Sequence, residues 1–424
     1  MSKKVLIVCF FFPPYPSIGG RRSAKFAKYL VQKGYDVHVI MVKNPFQETS
    51  SWMKDIEKLN LHIYELPLNY PKEFILPVTT LFQKIKYRFT NSYFNLFLSK
   101  KNKFDYTVFW KNDYSKKVKT LIEEDEIENI FISAPPFYYI YYTCLLKKQF
   151  PNINIIADFR DPWLESPYYG MSGLKQNQLK HEIDLFNEVA KGVNYITGPN
   201  EILLARQASY LKKENESFKS KFITIEHAYD PDDVLIKPNN HQQSVDYKIR
   251  LVYGGQLYTG TEPVLKELSE FLKTLKVSNY ELYKKLSIEF YTPEVDRAAI
   301  FKGLEDVVTF SASIGNKIMD KIATATFCLL FMADHNKDFR TTKFLEYAIL
   351  RKPFIVFGNK GYVAKFVEEN KIGVACDAAT IKEVLLPLLS DHASYISNRF
   401  NKNLDLSQYS FDKMTDKLIS LFSK

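Results

Sequence analysis

The chain has 424 residues, too many for one ordinary hydrophobic core. Its 46% hydrophobic and 25% charged content is that of a folded globular protein, not a disordered or fibrous one. With 58 Lys and Arg against 48 Asp and Glu, the net charge of +10 favours anionic partners such as phosphates, nucleotides or an anionic membrane surface. No arginine run, RNA-binding aromatic signature or finger spacing accompanies that charge, which argues against nucleic acid.

The first forty residues read as strand, loop, helix, strand. KVLIVCFFF, from residue 4, is a continuous apolar run of the kind that forms a parallel strand covered on both faces. It imitates a secretory leader, but it is β-branched and aromatic and ends in Pro-Pro without a small-residue cleavage site, so a first buried strand is the expectation. PPYPSIGG is loop, RRSAKFAKYLVQKG is a helix stopped at Gly34, and DVHVIMV is the next strand.

The alternation continues through NIFISA (129–134), a Tyr-rich helix to Phe150, NIIADFRD (154–161), VNYITGPN (193–200) and KFITIEHAYD (221–230). KPNNHQQSVD, residues 237–246, is polar and aperiodic and reads as a linker. The pattern then restarts with IRLVYGG (249–255), a helix over 262–276, LSIEFYT (286–292), VVTFSAS (307–313), FCLLFMA (327–333), a helix within DFRTTKFLEYAILRKPF, FIVFG (354–358) and GVACD (373–377). An amphipathic helix over 410–422 closes the chain. Strands joined by crossover helices imply two Rossmann-like, doubly wound α/β domains facing across a cleft, over 1–236 and 248–424 with 237–247 between them. The last helix is a candidate to pack back on the first domain. No stretch reaches 18 apolar residues, so no membrane span is expected.

The four cysteines, Cys9, Cys144, Cys328 and Cys376, are far apart, and the seven histidines are scattered, so neither a disulfide nor a metal set is expected. Charged groups do gather where such sheets bind ligands, at the carboxyl ends of strands. Gly19 and Gly20 permit close backbone approach ahead of a helix, and Arg21 and Arg22 add positive charge there. A tight turn with two solvated arginines is the competing reading. ADFRDPW sets Asp158, Arg160 and Asp161 at a strand end, either as a cluster of catalytic or binding groups or as an internal salt bridge. In DFRTTKFLEYA, Thr341 or Thr342 can cap the helix, and Lys343 and Glu346, three apart, share a face one turn in. There Lys343 can meet a diphosphate, Glu346 the two hydroxyls of a ribose, and Asp338 a sugar. The alternative is an exposed Lys–Glu pair worth about 0.3–0.5 kcal/mol.

FFPPYPSIGG with its following Arg, ADFRDPW, IEHAYDPDD, YGGQLYTG and TTKFLEYAILRKPF occur in this order over residues 4 to about 400. Their order and spacing resemble the GT-B fold glycosyltransferases, above all family four and its bacterial surface-polysaccharide members. The resemblance implies a nucleoside-diphosphate-sugar donor bound by the second domain and an acceptor held by the first. The family's paired glutamates map onto Asp338 and Glu346, with an Asp one carbon shorter in the first place. YGGQLYTG, with Gly254 and Gly255, lacks the Arg and Lys that often follow this strand in the family, so Lys343, helped by Arg340, is left as the phosphate cation. The resemblance also implies retention of anomeric configuration with no metal and no cofactor, the nucleotide sugar being a substrate. Asp338 and Asp161 are the catalytic candidates. Gly19, Gly20, Arg21, Gly254, Gly255, Arg340, Thr342, Lys343 and Glu346 are donor-binding candidates, and Asp158 and Arg160 stand on the acceptor side.

Residues 81–104 interleave Phe82, Ile85, Phe89, Phe94 and Phe97 with Lys84, Lys86, Arg88, Lys100, Lys101 and Lys103. Such a segment can lie in a bilayer interface or cover its own domain. The first option places a cytoplasmic enzyme at the inner face of the cell membrane, acting on a lipid-linked saccharide. A sugar-nucleotide epimerase of the same fold and a non-catalytic nucleotide-sugar-binding scaffold are the rival readings.

Overall fold

Short runs of Val, Ile and Phe, bounded by Gly, Pro or Asn, become parallel strands, and the amphipathic segments between them become crossover helices. The computed structural model of the chain describes residues 3–75, 78–97, 101–166, 169–234, 248–334, 337, 342–358 and 361–422. These fall into two compact units, Met1–Glu226 with Phe411–Lys424, and His227–Ser410. The division falls at Glu226, ahead of the polar stretch read as a linker, which lies outside the described residues.

The first unit is built on β1 (Lys4–Val8), β2 (Asp36–Val42), β3 (Leu61–Leu66), β4 (Asn129–Ala134), β5 (Asn154–Phe159), β6 (Tyr195–Gly198) and β7 (Phe222–Thr224). Among the described residues they form one parallel sheet in the order β3-β2-β1-β4-β5-β6-β7. Val5 to Val8 are fully buried, as a central strand covered by helices on both faces requires. The strand order turns between β1 and β4, which makes their carboxyl ends the natural ligand position of this sheet. β3 has no counterpart among the elements read from the sequence. LHIYEL is an edge strand with one buried residue, so its apolar signal is weak.

The last helix, Phe411–Ile419, belongs to this unit. It packs on the helix Arg21–Gln32, where Phe411 meets Phe26 edge-on at 5.6 Å and stacks with Tyr29 at 6.4 Å. Lys33 bridges Asp412 and Asp416 at 2.7 and 2.8 Å. Burial of Phe411, Met414 and Leu418 supplies the driving force, of order 1.5–3 kcal/mol for each large side chain.

The second unit carries β8 (Ile249–Gly254), β9 (Leu286–Tyr291), β10 (Val308–Ser311), β11 (Phe327–Phe331), β12 (Phe354–Phe357) and β13 (Gly373–Cys376). Among the described residues they too form one parallel sheet, in the order β10-β9-β8-β11-β12-β13. Tyr253, Phe290, Phe331 and Phe357 pack against one face of it. The turn in strand order lies between β8 and β11, so Gly254 and Gly255 stand at the switch point. All four cysteines are free thiols, and Cys9, Cys328 and Cys376 are core residues.

Candidate functional site

In the second unit the chain leaves β8 through Gly254 and Gly255. A Cβ on Gly254 would stand 2.2 Å from Ile318, and the Gly254 carbonyl accepts a 2.8 Å hydrogen bond from Tyr347. Gly255 has φ +148°, a conformation that side chains rarely adopt. A Cβ there would lie 1.8 Å from Nζ of Lys343, so the lysine's ammonium rests directly on the glycine backbone.

Lys343 comes from the helix Thr342–Ala348, whose Phe344, Leu345 and Tyr347 are buried and fix its rotation. The ammonium makes no hydrogen bond or ion pair among the described residues. Burial lowers its pKa below the ordinary lysine value, against the upward pull of Glu346 and Glu294. The expected Lys343–Glu346 surface pair is therefore not a closed ion pair: the lysine turns inward to the glycine turn. Asp338, Arg340 and Thr341 lie outside the described residues.

Glu294 was not among the residues singled out by sequence. It accepts hydrogen bonds from the Leu257 amide at 2.9 Å and the Thr292 hydroxyl at 2.6 Å, which fastens the turn after Gly255 to the end of β9. The position of TPE directly after an apolar strand was the available signal.

In the first unit the loop after β1 is self-contained. Ser17 accepts from the Gly19 amide at 3.1 Å through its hydroxyl and from the Gly20 amide at 3.2 Å through its carbonyl. A Cβ on Gly20 would stand 2.2 Å from the Phe11 carbonyl oxygen, which explains the glycine without a ligand. Arg21 and Arg22 are buried, not solvated. The Arg21 guanidinium lies 5.2 Å from the Trp52 ring centre and 5.4 Å from that of Phe411.

Asp158 does not pair with Arg160. Its oxygens take a two-pronged contact from Arg22 at 2.8 and 2.9 Å and a 2.9 Å bond from the Thr197 hydroxyl, all in the interior. Arg22 also donates to the Ile225 and Glu226 carbonyls at 2.8 and 2.9 Å. Arg160 is spent on backbone, donating to the carbonyls of Gly19, Ala134 and Pro135. It thereby clamps the loop after β1 to that after β4. Asp161 differs: it is exposed, it makes no hydrogen bond or ion pair among the described residues, and the surrounding protein raises its pKa while Arg160 opposes the shift.

No protein-family model and no curated protein sequence matches the chain. Solved structures do match over nearly its whole length. Anabaena HepE in complex with UDP-glucose aligns with TM-score 0.61 at 11% identity, covering 98% of both chains. WaaG, a glycosyltransferase involved in lipopolysaccharide biosynthesis, aligns with TM-score 0.57 at 13% identity, covering 97% of this chain and 99% of its own. UDP-GlcNAc 2-epimerase from Neisseria meningitidis, bound to UDP-GlcNAc, aligns with TM-score 0.53 at 11% identity over 99% of each. The fold is GT-B.

Within this GT-B chain, Gly254, Gly255, Lys343, Tyr347 and Glu294 gather at one switch point, with Glu346 on the same helix. Asp158 and Arg160 are framework residues of the first unit, and Asp161 is the acid of that cluster left open to solvent.

Proposed function

We propose that the chain is a glycosyltransferase that moves a sugar from a nucleoside-diphosphate donor to a saccharide acceptor. The carrying observation is the Lys343 ammonium, inward-facing, set on the Gly255 turn at the switch point and without an ion-pair partner among the described residues. A diphosphate supplies the missing counter-charge. As the glycosidic bond breaks, negative charge grows on the departing diphosphate, and a fixed cation in a partly desolvated place stabilises that state most. Glu346 is assigned to the ribose hydroxyls, and Asp338 and Arg340 keep the sugar and phosphate roles that the resemblance implies. Asp161 is assigned to the acceptor hydroxyl, where a raised carboxyl pKa suits proton transfer nearer neutrality. We assign retention of configuration and no metal to this step. The UDP-sugars held by two of the similar structures support a uridine nucleotide as the first donor to try.

We assign the acceptor to a membrane surface, a reading that the helix Leu81–Phe97 supports. Leu81, Phe82, Ile85, Phe89, Tyr93 and Leu96 are exposed, from 46% at Ile85 to 76% at Leu81. At helical spacing these fall within about 120° of one face, flanked by Lys84 and Arg88 on one side and Lys86 on the other. Phe94, on the opposite face, is 2% exposed and anchors the helix against Phe74 and Phe109. It belongs to the core rather than to the lipid-facing set read from the sequence. The Phe97 side chain and Lys100 lie outside the described residues, and Lys103 bonds to Asn91. An outward apolar face with basic flanks fits an anionic bilayer surface carrying a lipid-linked saccharide.

The test is a product assay with a panel of sugar nucleotides. Acceptor-dependent release of nucleoside diphosphate is the expected result. The epimerase reading, favoured by the similarity to the Neisseria enzyme, predicts an isomerised nucleotide sugar with no acceptor present. Binding without turnover on any acceptor would favour a scaffold.

A further inference from the structure

The amino ends of β2 and β3 carry a group of side chains that the donor site does not use. The register sets His38 directly opposite His62, and Asp36 precedes His38 by two residues, so all three share one face of the sheet. Asp36 Oδ1 lies 3.0 Å from His62 Nε2, and Oδ2 lies 3.5 Å from His38 Nε2. The two imidazoles stack, with ring centres 4.5 Å apart. A tetrahedral ion with bonds of about 2.0–2.1 Å needs its donor atoms about 3.3 Å apart, a spacing these contacts bracket.

His38 supplies the second observation. It is 2% exposed, and its Nε2 has no hydrogen-bond partner. Its Nδ1 lies 3.1 Å from the Tyr64 hydroxyl. An imidazole held through one nitrogen while the other faces a carboxylate and a second imidazole is the arrangement by which metal-binding histidines are oriented.

We propose that Asp36, His38 and His62 form a binding site for a borderline divalent cation of the zinc class, with Tyr64 holding His38 in the ligating orientation. Two imidazoles and one carboxylate suit zinc or cobalt, whereas calcium and magnesium prefer all-oxygen sets. Asp36 and His62 are half-exposed, so water can complete the coordination. The site stands at the amino ends of its strands, opposite the end where the candidate chemistry gathers. Its role is structural. Among the described residues β3 pairs with β2 and no other strand, and an ion shared by the two would pin this edge strand in register.

The experiment is titration of untagged, chelator-stripped full-length protein with zinc by calorimetry, and with cobalt by visible absorption. One saturable zinc per chain, a melting temperature raised by several degrees at saturating zinc and a cobalt d–d band are expected. His62→Ala and Asp36→Asn, both at half-exposed positions that tolerate change, should each weaken zinc at least 100-fold, and Tyr64→Phe by roughly 10–100-fold. Absence of saturable binding, or equal binding by wild type and His62→Ala, overturns the proposal.

Discussion

The Lys343 ammonium lies against the backbone of Gly255, close enough that a methyl group on that glycine would stand 1.8 Å from Nζ. The glycine is needed twice, for its φ of +148° and for the room it leaves the lysine. Gly255→Ala should displace the ammonium and weaken nucleotide-sugar binding by roughly 30–150-fold, about 2–3 kcal/mol for a lost charge-assisted contact. Calorimetry checks this, and an alanine variant that binds like wild type would remove the apposition from the account.

Asp161 is assigned to the acceptor hydroxyl, so Asp161→Asn should lower kcat by about 10²–10⁴ with little effect on donor KM. The surrounding protein raises this carboxyl above the ordinary aspartate value, and Arg160 opposes the shift. Activity should therefore fall on the acid side at a pH above the usual aspartate range. An Asn variant with full kcat, or an acid limb unchanged between the two proteins, would contradict the assignment.

The Arg22–Asp158 pair is a matter of stability. Asp158→Ala leaves a buried guanidinium without its carboxylate and should cost about 3–5 kcal/mol in urea unfolding. A loss below about 1 kcal/mol would mean that the neighbouring carbonyls suffice to hold Arg22.

Glu182 gives a pH signature. It is fully buried, accepts hydrogen bonds from Tyr138 and from Trp163 Nε1, and burial pushes its carboxyl from 4.5 up to about 7. The folded protein thus holds this proton more tightly than the unfolded chain. Its contribution, roughly 3 kcal/mol, is complete below about pH 4.5 and is lost as pH rises to about 7. Glu182→Gln cannot titrate, so the stability gap between wild type and variant should narrow over that interval. A gap that stays constant would refute the shift.

Membrane capture should depend on both parts of the helix Leu81–Phe97. Phe82→Ser with Phe89→Ser should abolish sedimentation with anionic vesicles, and neutralising Lys84 and Arg88 should weaken it by about 1 kcal/mol each. Lys86 is already paired with Glu73, so its loss should matter less. Failure of the wild type to sediment at low salt would end the membrane assignment.

Local signals carried much of this architecture. The short apolar runs at Lys4–Val8, Asn129–Ala134 and Phe327–Phe331 announce buried strands by length and composition, and the three-residue spacing of Lys343 and Glu346 sets them on one helical face. Contacts that depend on sheet order were not legible. Arg22 reaches Asp158 across 136 residues only because β1, β4 and β5 are neighbours. His38 meets His62 only through the register of an edge strand that the sequence barely marks. Phe94 sits in the same basic, aromatic stretch as Phe89, and only the way the helix is rolled on its unit sends one inward and the other out.

The most direct test of the donor site is calorimetric titration of the full-length protein with uridine, guanosine, adenosine and cytidine diphosphate sugars, repeated on Lys343→Ala and Glu346→Ala. One-to-one binding of at least one donor is expected, weakened about 30-fold or more by each variant. Binding that survives both substitutions unchanged, or no binding of any donor by the wild type, would contradict it.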